Sequence, residues 1–240
     1  MLKVPLFKNI ILSETEDLLF INKPPHISSL DERIAIAPSI LAMAKKYWPD
    51  AQLCHRLDKE TSGVLVIAKN AETYREMAMK FEAREIEKFY HAIVGGVLQI
   101  TNKTIELPLS ITRNGLAKID MQDGKKAVTI VNTLKTFGHY SLVECKPVTG
   151  RLHQIRIHLA SQNFPIVADE QYGGKIPKLS RLKAKFKLGK FENEQGMIKR
   201  VALHAYSLSF LFNEQQLIVS APYPKDMEVL LKQLEKFDSI

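Results

Sequence analysis

The sequence contains little cysteine: only Cys54 and Cys145 occur in 240 residues, and neither has a CxxC partner or a metal-ligand spacing. This scarcity excludes a disulfide scaffold and a cysteine-based metal site. The first twenty residues lack the basic and then apolar pattern of a signal peptide, and no apolar run approaches the roughly 18 residues of a membrane span. We therefore expect a cytoplasmic, reduced protein with no metal and no membrane partner.

Acidic residues are also in deficit. The chain has 26 Asp and Glu against 34 Lys and Arg, so its net charge is +8. Such an excess favours an anionic partner, of which nucleic acid is the first candidate. Internal repeats and Gly/Ser-rich linkers are missing as well, which favours one continuous domain over residues 1–240.

Apolar periodicity predicts both helices and strands in the first third of the chain. Residues 17–23 form a predicted strand that ends at a Pro-Pro pair, since proline cannot continue a ladder. Two amphipathic helices follow, one opened by Pro38 and one capped by Asn70. Between them, residues 64–68 are all apolar, which is typical of a buried strand.

From residue 89 onward the apolar period is two, which predicts strands. They are expected near residues 89–94, 103–109, 127–137, 141–147, 201–212 and 215–221. Turn signals between these segments indicate that neighbours pair antiparallel through short connections. Helices are expected over residues 151–162 and at the C-terminal end. The pattern predicts an α+β fold with a central, mostly antiparallel sheet flanked by helices.

The rest of the chain is organised around HRLDKETSG at residues 55–63, which runs directly into the buried strand. Asp58 lies between cationic residues and a Thr-Ser-Gly turn, so a rigid element would fix its carboxylate, as a catalytic acid requires. The alternative is that Asp58 only caps the turn by accepting backbone N–H groups. This stretch alone leaves both interpretations open.

The predicted helix over residues 151–162 carries a charge on its apolar face. Helical spacing puts Arg156 on one face with Ile155 and Leu159. A buried arginine needs an anion, and Asp58 is the carboxylate best placed on a rigid element. The alternative is that the Arg156 side chain extends past its neighbours into water.

Two further residues could contact a planar ligand. Tyr90 begins a strand and could offer its ring, although a half-buried core tyrosine is the more common case. Arg56 would project from the same side of its loop as Asp58 if that loop is extended. Its guanidinium could then stack on a base or fill a gap in an RNA helix.

Residues 175–190 contain seven Lys and Arg residues and no acid, and basic and apolar residues alternate from Arg181 to Leu188. A basic face of period two could lie against phosphates, with Lys183, Lys185 and Lys187 as the contacts. A solvated loop is the alternative, because charge runs usually face water.

Five motifs along the chain, taken together, resemble the RluA-type family of RNA pseudouridine synthases. The resemblance covers about residues 16–222. Its motifs are HRLDKETSG at 55–63, KFYHA at 88–92, TGRLHQIRIHLA at 149–160, PIVADEQYG at 165–173 and VALHA at 201–205.

The resemblance implies a sheet-based fold with a positively charged cleft, and isomerisation of uridine to pseudouridine in ribosomal or transfer RNA without a cofactor. By position, Asp58 matches the catalytic aspartate, and Arg156 matches its basic partner. Tyr90 matches the tyrosine that stacks on the target base, and Arg56 the arginine that fills the space left by the flipped base. The flanking motif positions assigned to substrate binding are His55, Thr61 and Leu203.

The chain also departs from the family pattern. Relatives often carry a small RNA-binding domain before the catalytic one, whereas about fifteen residues precede the first strand here, so we expect a stand-alone, monomeric catalytic domain. After Asn22-Lys23-Pro24 the chain has PHISS, where many relatives show a Gly and an apolar pair leading to a His. The stretch from Lys175 to Arg200 is longer and more basic than expected.

The implied chemistry suits a carboxylate. Pseudouridine forms when the bond from ribose C1′ to uracil N1 breaks, the base turns, and its C5 bonds to C1′. Asp58 could attack C1′ as a nucleophile or remove the C2′ proton, and both routes need it ionised. A nearby arginine would favour that form.

Two other classes of function remain open at this point. A non-catalytic RNA-binding protein on the same fold would explain the charge, but it would not need the acid, the tyrosine and the inward arginine together. A hydrolase of nucleic-acid N-glycosidic bonds would also use an Asp beside a stacked base. Such a hydrolase would release free uracil, which a synthase does not.

Overall fold

The computed structural model describes residues 4–32, 37–183, 186 and 193–240, in which strands alternate with short helices. Strands β1 to β12 are, in chain order, Ile11–Glu14, Leu18–Lys23, Gln52–Leu53, Ser62–Ala68, Glu87–Gly95, Lys103–Glu106, Leu109–Ile111, Ala117–Ile119, Val128–Thr136, Tyr140–Pro147, Leu203–Phe212 and Gln215–Ser220. Helices α1 to α4 are Ile40–Tyr47, Ala71–Ala83, Gln154–Ser161 and Lys225–Phe237. Single 3-10 turns lie at Phe7–Ile10, Glu170–Tyr172 and Leu179–Arg181.

The chain divides into two units. One contains Met1–Phe89 and His204–Tyr223, and the other contains Tyr90–Leu203 and Pro224–Ile240. Each unit is therefore completed by a segment distant in sequence. The expectation that residues 1–240 form one catalytic domain stays a prediction. No helix in the described parts of the chain is long and apolar enough to cross a membrane.

The sheet of the first unit is built around β4. Strand β4 pairs antiparallel with β2 and parallel with β11, while β1 extends the sheet beyond β2 and β12 extends it beyond β11. Every residue of β4 is buried, which confirms the predicted buried strand. Val64 and Val66 lie on the face that packs against Met77 of α2, and alternation puts Leu65 and Ile67 on the opposite face.

Helix boundaries in the first unit follow the predicted capping residues. The Asn70 side chain accepts the Thr73 N–H at 2.8 Å, so Asn70 is the N-cap of α2, as expected. Ser39 caps α1 in the same way, one residue after the predicted opening at Pro38. The hairpin between β11 and β12 turns at Asn213 and Glu214, which both have positive φ as a tight hairpin turn requires.

The second unit contains a sheet in the order β5-β10-β9-β6, a separate β7–β8 hairpin, and helices α3 and α4. Antiparallel pairing of β9 with β10 through a short turn is confirmed. All the pairs in this sheet are antiparallel, and the only parallel pair in the first unit's described strands is β4 with β11. The predicted α+β class, with mostly antiparallel sheet and flanking helices, is therefore confirmed.

One predicted pairing is wrong. The Gly95-Gly96 turn signal predicts that β5 pairs with the next strand, β6, but β5 pairs with β10 instead. The intervening segment crosses the ends of β10 and β9, because the Leu98 N–H bonds the Ser141 hydroxyl and the Ile100 N–H bonds the Thr133 hydroxyl. The two hydroxyls accept hydrogen bonds from backbone N–H groups of the segment, which would otherwise lack partners. The chain then reaches β6, on the side of β9 opposite to β10.

Candidate active site

Asp58 lies in a tight turn directly before β4. Its backbone carbonyl accepts the Thr61 N–H at 3.1 Å, which closes the turn. On the other side, the Ser29 hydroxyl donates to the Leu57 carbonyl at 2.7 Å and accepts the Leu57 N–H at 3.1 Å. The backbone is thus fixed on both sides of the half-buried Asp58, which is the rigid setting that the sequence predicts.

A buried lysine, which sequence reasoning missed, supports this turn. The ammonium of Lys23 is inaccessible to solvent and donates to the carbonyls of Pro24 at 3.0 Å, Ile27 at 2.8 Å and Lys59 at 3.1 Å. These bonds tie the PHISS loop at residues 25–29 to Lys59, the residue after Asp58. A buried cation needs such partners, and the carbonyl dipoles supply them.

Strand β4 starts at a close backbone approach. A Cβ added at Gly63 would lie 2.1 Å from the Ala205 carbonyl oxygen of β11, and the φ of Gly63 is +118°. Only glycine fits there. Beside it, His204 donates from Nε2 to the Ala221 carbonyl at 3.1 Å, so its Nδ1 accepts from the Ser62 hydroxyl at 2.9 Å. These contacts hold the strand that follows Asp58.

His55 contacts the backbone of the strand. Its Nε2 accepts the Val66 N–H at 3.1 Å, and its ring packs on Phe81 with centroids 4.8 Å apart. Burial, with a smaller contribution from Lys88, lowers the pKa of His55 to about 3. The neutral ring therefore supports β4, the strand that follows the Asp58 turn, and its predicted contact with substrate stays a prediction.

This setting predicts that His55 makes the fold acid-sensitive. The folded pKa is depressed below the unfolded value, so the stability that the neutral ring provides is lost as pH falls below about 6.5, at up to about 1.4 kcal/mol per pH unit. We expect the free energy of unfolding, from urea titrations at pH 7.5 and 5, to fall more in wild type than in His55→Gln. Gln keeps an acceptor but does not titrate. Equal losses in both proteins would contradict this role.

Arg156 lies in α3, and the prediction that it points inward is confirmed. It is 6% exposed. The reason differs from the expected one, however, because α3 begins only at Gln154 and every residue from Gln154 to Leu159 is buried. The helix is covered all round rather than on one apolar face, so its polar side chains all need internal partners.

The structure shows an anionic partner for Arg156 that sequence reasoning missed. Its Nε and one terminal nitrogen each donate to a different oxygen of Asp169 at 2.7 Å, and that terminal nitrogen also donates to the Gln171 side-chain oxygen at 2.6 Å. Asp169 is 1% exposed, so this is a buried, bidentate ion pair. The Tyr172 ring lies 5.0 Å from the guanidinium carbon.

Asp169 belongs to the motif PIVADEQYG at residues 165–173, in which the sequence predicts no role for the acid. The loop is tightly wrapped: a Cβ at Gly174 would lie 1.9 Å from the Ile166 carbonyl oxygen, and the Gly174 N–H bonds the Asp169 carbonyl at 2.8 Å. Asp58 belongs to the first unit and Arg156 to the second. Pairing between these two residues stays a prediction.

The other polar residues of α3 are fully bonded. The Gln154 amide donates to the Val128 carbonyl and the Thr129 hydroxyl, both at 2.9 Å, and its oxygen accepts from Thr149 at 2.7 Å. His158 bonds the same Thr129 hydroxyl at 2.9 Å, and burial lowers its pKa. This network fixes the helix that carries Arg156.

The remaining predicted site residues occupy defined positions. Tyr90 is half-buried in β5, opposite Cys145 of β10. Arg56 is exposed, whereas Thr61 and Leu203 are buried. Their roles toward substrate stay predictions. In the described parts of the chain, no group of three or more His, Cys, Asp or Glu side chains could hold a metal ion.

The predicted basic ribbon falls partly outside the described residues, which exclude Lys185 and Lys187. Leu179–Arg181 forms a 3-10 turn, so the segment is not extended there. Lys183 is exposed, and its ammonium lies 5.6 Å from the Phe237 ring centroid of α4. Its predicted phosphate contact stays a prediction.

Comparison with known proteins identifies the family. A family model described as RNA pseudouridylate synthase matches residues 17–161. The chain belongs to this family. It is 34% identical over 95% of its length to the ribosomal large subunit pseudouridine synthase C of Buchnera aphidicola, and covers 71% of that protein. It is 33% identical over 94% of its length to synthase D of Xanthomonas campestris, and covers 69% of it.

The fold is shared with a solved human structure of this family. RNA Pseudouridylate Synthase Domain Containing 4 superposes with a TM-score of 0.73 at 24% identity, covering 96% of this chain and 95% of the human one. The predicted pseudouridine synthase fold is confirmed. Family membership likewise confirms that the chain is an enzyme, an RNA pseudouridine synthase, and that its partner is RNA.

Proposed function

We propose that this synthase modifies ribosomal RNA of the large subunit, with Asp58 as its catalytic carboxylate. The observation that carries the proposal is the Asp58 turn, in which backbone and side-chain hydrogen bonds fix the chain on both sides of a half-buried acid. The RNA class is supported by the names of the two curated relatives, both ribosomal large subunit pseudouridine synthases.

Asp58 acts on the sugar rather than on the base. Its carboxylate either bonds to C1′ or takes the C2′ proton, and in both routes the electrons of the C1′–N1 bond leave with uracil. The base then turns and C5 bonds to C1′. In the first route the Asp58–C1′ bond breaks at this step, and in the second Asp58 returns the proton to C2′. The proton on C5 is then lost, while N1 gains one. Substrate and product are isomers, so the reaction needs no oxidant or other co-reactant.

The target base must leave its stack before Asp58 can reach the sugar. Unstacking costs a few kcal/mol, and stacking of the flipped base on a protein ring offsets that cost. We assign this ring to Tyr90, which is half-buried in β5 and so rigidly held. The exposed Arg56, two residues before the acid, takes the place of the flipped base in the RNA.

Tyr90→Phe is expected to be milder than Tyr90→Ala, because stacking needs the ring and not the hydroxyl. Removing one base-stacking interaction typically costs about 1–3 kcal/mol. We therefore expect Tyr90→Ala to lower kcat/KM on RNA by roughly ten- to a hundredfold, and Tyr90→Phe to lower it far less. Single-turnover rates measure both. Equal losses would show that the hydroxyl matters instead.

The proposed activity can be followed by the proton that C5 loses. Large-subunit RNA carrying tritium at uracil C5 should release it to solvent when incubated with the purified protein, and free uracil should not appear. Transfer RNA labelled in the same way serves as the comparison. Release from transfer RNA but not from ribosomal RNA would contradict the proposed substrate, and free uracil would point to a glycosidic hydrolase.

A further inference from the structure

The second unit contains a cavity that the reaction above does not use. Its volume is about 410 Å³, and the residues that line it come from the end of β5, the start of β10 and the segment 165–182. This volume is within the usual range of small-molecule sites, about 300–1,000 Å³. Its lining does not include Asp58, Tyr90 or Arg156.

The walls of this cavity suit a planar, mostly apolar group. Pro165, Val167 and Ile176 supply apolar surface. Tyr140 adds a half-buried phenol whose pKa is raised by burial, with a smaller effect of Asp238, so the hydroxyl stays neutral and can donate a hydrogen bond. At Gly95 an added Cβ would meet no heavy atom within 4 Å, so the cavity is open there.

Cations also line the cavity. Lys175 and Arg181 are both exposed lining residues, and His139 lines the cavity as well. The nearby acid, Asp238, is engaged, because its carboxylate accepts from Nδ1 of His139 at 2.6 Å and from the His139 backbone N–H at 2.8 Å. An apolar cavity with cations at its edge suits a nucleotide, because the base can contact the apolar wall and the phosphate can contact the cations.

We propose that this cavity binds one unpaired nucleotide of the substrate RNA, with the base against the apolar wall and Tyr140, and the phosphate on Lys175 and Arg181. The inference rests on the proposed function in taking RNA as substrate, and it adds a recognition site apart from the reacting uridine. A free nucleotide offers the same chemistry, so the experiment must separate the two sources.

The cavity shares a loop with the partner of Arg156. The Lys175 carbonyl accepts the Ala168 N–H at 3.0 Å, and the next residue, Asp169, holds the arginine. A nucleotide on Lys175 therefore contacts the same loop that supplies Asp169. Lys175 and Asp169 thus belong to the same hydrogen-bonded loop.

The test measures binding of a labelled oligoadenylate by fluorescence anisotropy over a range of salt concentrations. Oligoadenylate contains no uridine, so it has no target base for the reaction. We expect Lys175→Ala/Arg181→Ala to weaken binding at least tenfold and to flatten the salt dependence by about one unit of slope for each phosphate that is no longer neutralised. Lys103→Ala/Lys232→Ala removes two cations outside the cavity lining and is the matched control.

A second variant separates the base from the phosphate. Gly95→Leu places a side chain into the open part of the cavity without changing charge, so it should weaken binding while leaving the salt slope unchanged. Circular dichroism checks that each variant is folded. The proposal is overturned if Lys175→Ala/Arg181→Ala binds oligoadenylate with wild-type affinity and salt slope. It is also overturned if the control variant loses as much affinity as Lys175→Ala/Arg181→Ala.

Free AMP identifies the source of the nucleotide. If AMP binding depends on Lys175 and Arg181 while oligoadenylate affinity does not, the cavity takes a free nucleotide and the RNA assignment is wrong. Failure of the proposed function looks different: ribosomal RNA would then release no tritium even with wild-type protein, whatever the binding result. If the wild-type protein releases tritium but its binding of oligoadenylate does not depend on Lys175 and Arg181, the cavity proposal is wrong and the proposed function stands.

Discussion

Asp58→Asn should abolish pseudouridine formation while RNA binding and folding survive. We expect tritium release from uracil C5 to fall by more than about 1000-fold, because an amide can neither attack C1′ nor accept the C2′ proton. The Kd for RNA should change by less than about twofold, since Asp58 contributes little to phosphate binding. Catalysis and binding would thus separate in one variant.

The turn around Asp58 makes this variant informative. It is closed by the Asp58 backbone carbonyl and the Thr61 N–H, which the substitution leaves unchanged. Asp50→Asn, at an exposed acid, is the control for the same change of charge. Near-normal turnover of Asp58→Asn would refute the proposed mechanism, and loss of RNA binding together with activity would show that Asp58 holds substrate rather than transforming it.

Features with local causes were predictable from the sequence. The all-apolar run after Gly63 predicts the buried strand β4, and the Asn70 cap predicts the start of α2, because each depends on neighbouring residues alone. The Asp58 turn belongs to the same class. Its motif also carries the family resemblance, which is why the residues alone indicate the fold and the reaction type.

Features that depend on distant residues were not predictable in this way. The neighbour of β5 is β10, about fifty residues further along, because side-chain hydroxyls lead the intervening segment across the strand ends. The carboxylate opposite Arg156 is Asp169, thirteen residues away in an irregular loop. Periodicity describes one element at a time, so it indicates that a buried arginine needs an anion without naming it.

The roles of buried polar residues were the hardest to predict. Lys23 resembles an ordinary strand-end lysine in the sequence, yet its ammonium is fully enclosed and joins three carbonyls around the Asp58 turn. His55 lies in the central motif, and the sequence does not indicate that its ring accepts the Val66 N–H. In both cases the partner is a backbone group, which leaves no trace in residue identities.

Arg156→Ala is expected to lower both stability and activity. The variant leaves the Asp169 carboxylate buried without its cation, and breaking a buried pair from one side typically costs about 3–5 kcal/mol. Urea unfolding should show this loss in the free energy of unfolding. Arg151→Ala, at an exposed arginine of the same motif, should change stability by less than about 0.5 kcal/mol.

A double variant separates the two effects. In Arg156→Met/Asp169→Leu both charges are replaced by apolar groups of similar size, and such replacements of buried pairs are often neutral or stabilising. We therefore expect the double variant to recover most of the stability that Arg156→Ala loses, while tritium release stays low because the guanidinium is missing. Recovery of activity along with stability would mean that Arg156 is needed only for folding. Wild-type stability of Arg156→Ala would instead mean that the buried pair with Asp169 contributes nothing to the fold.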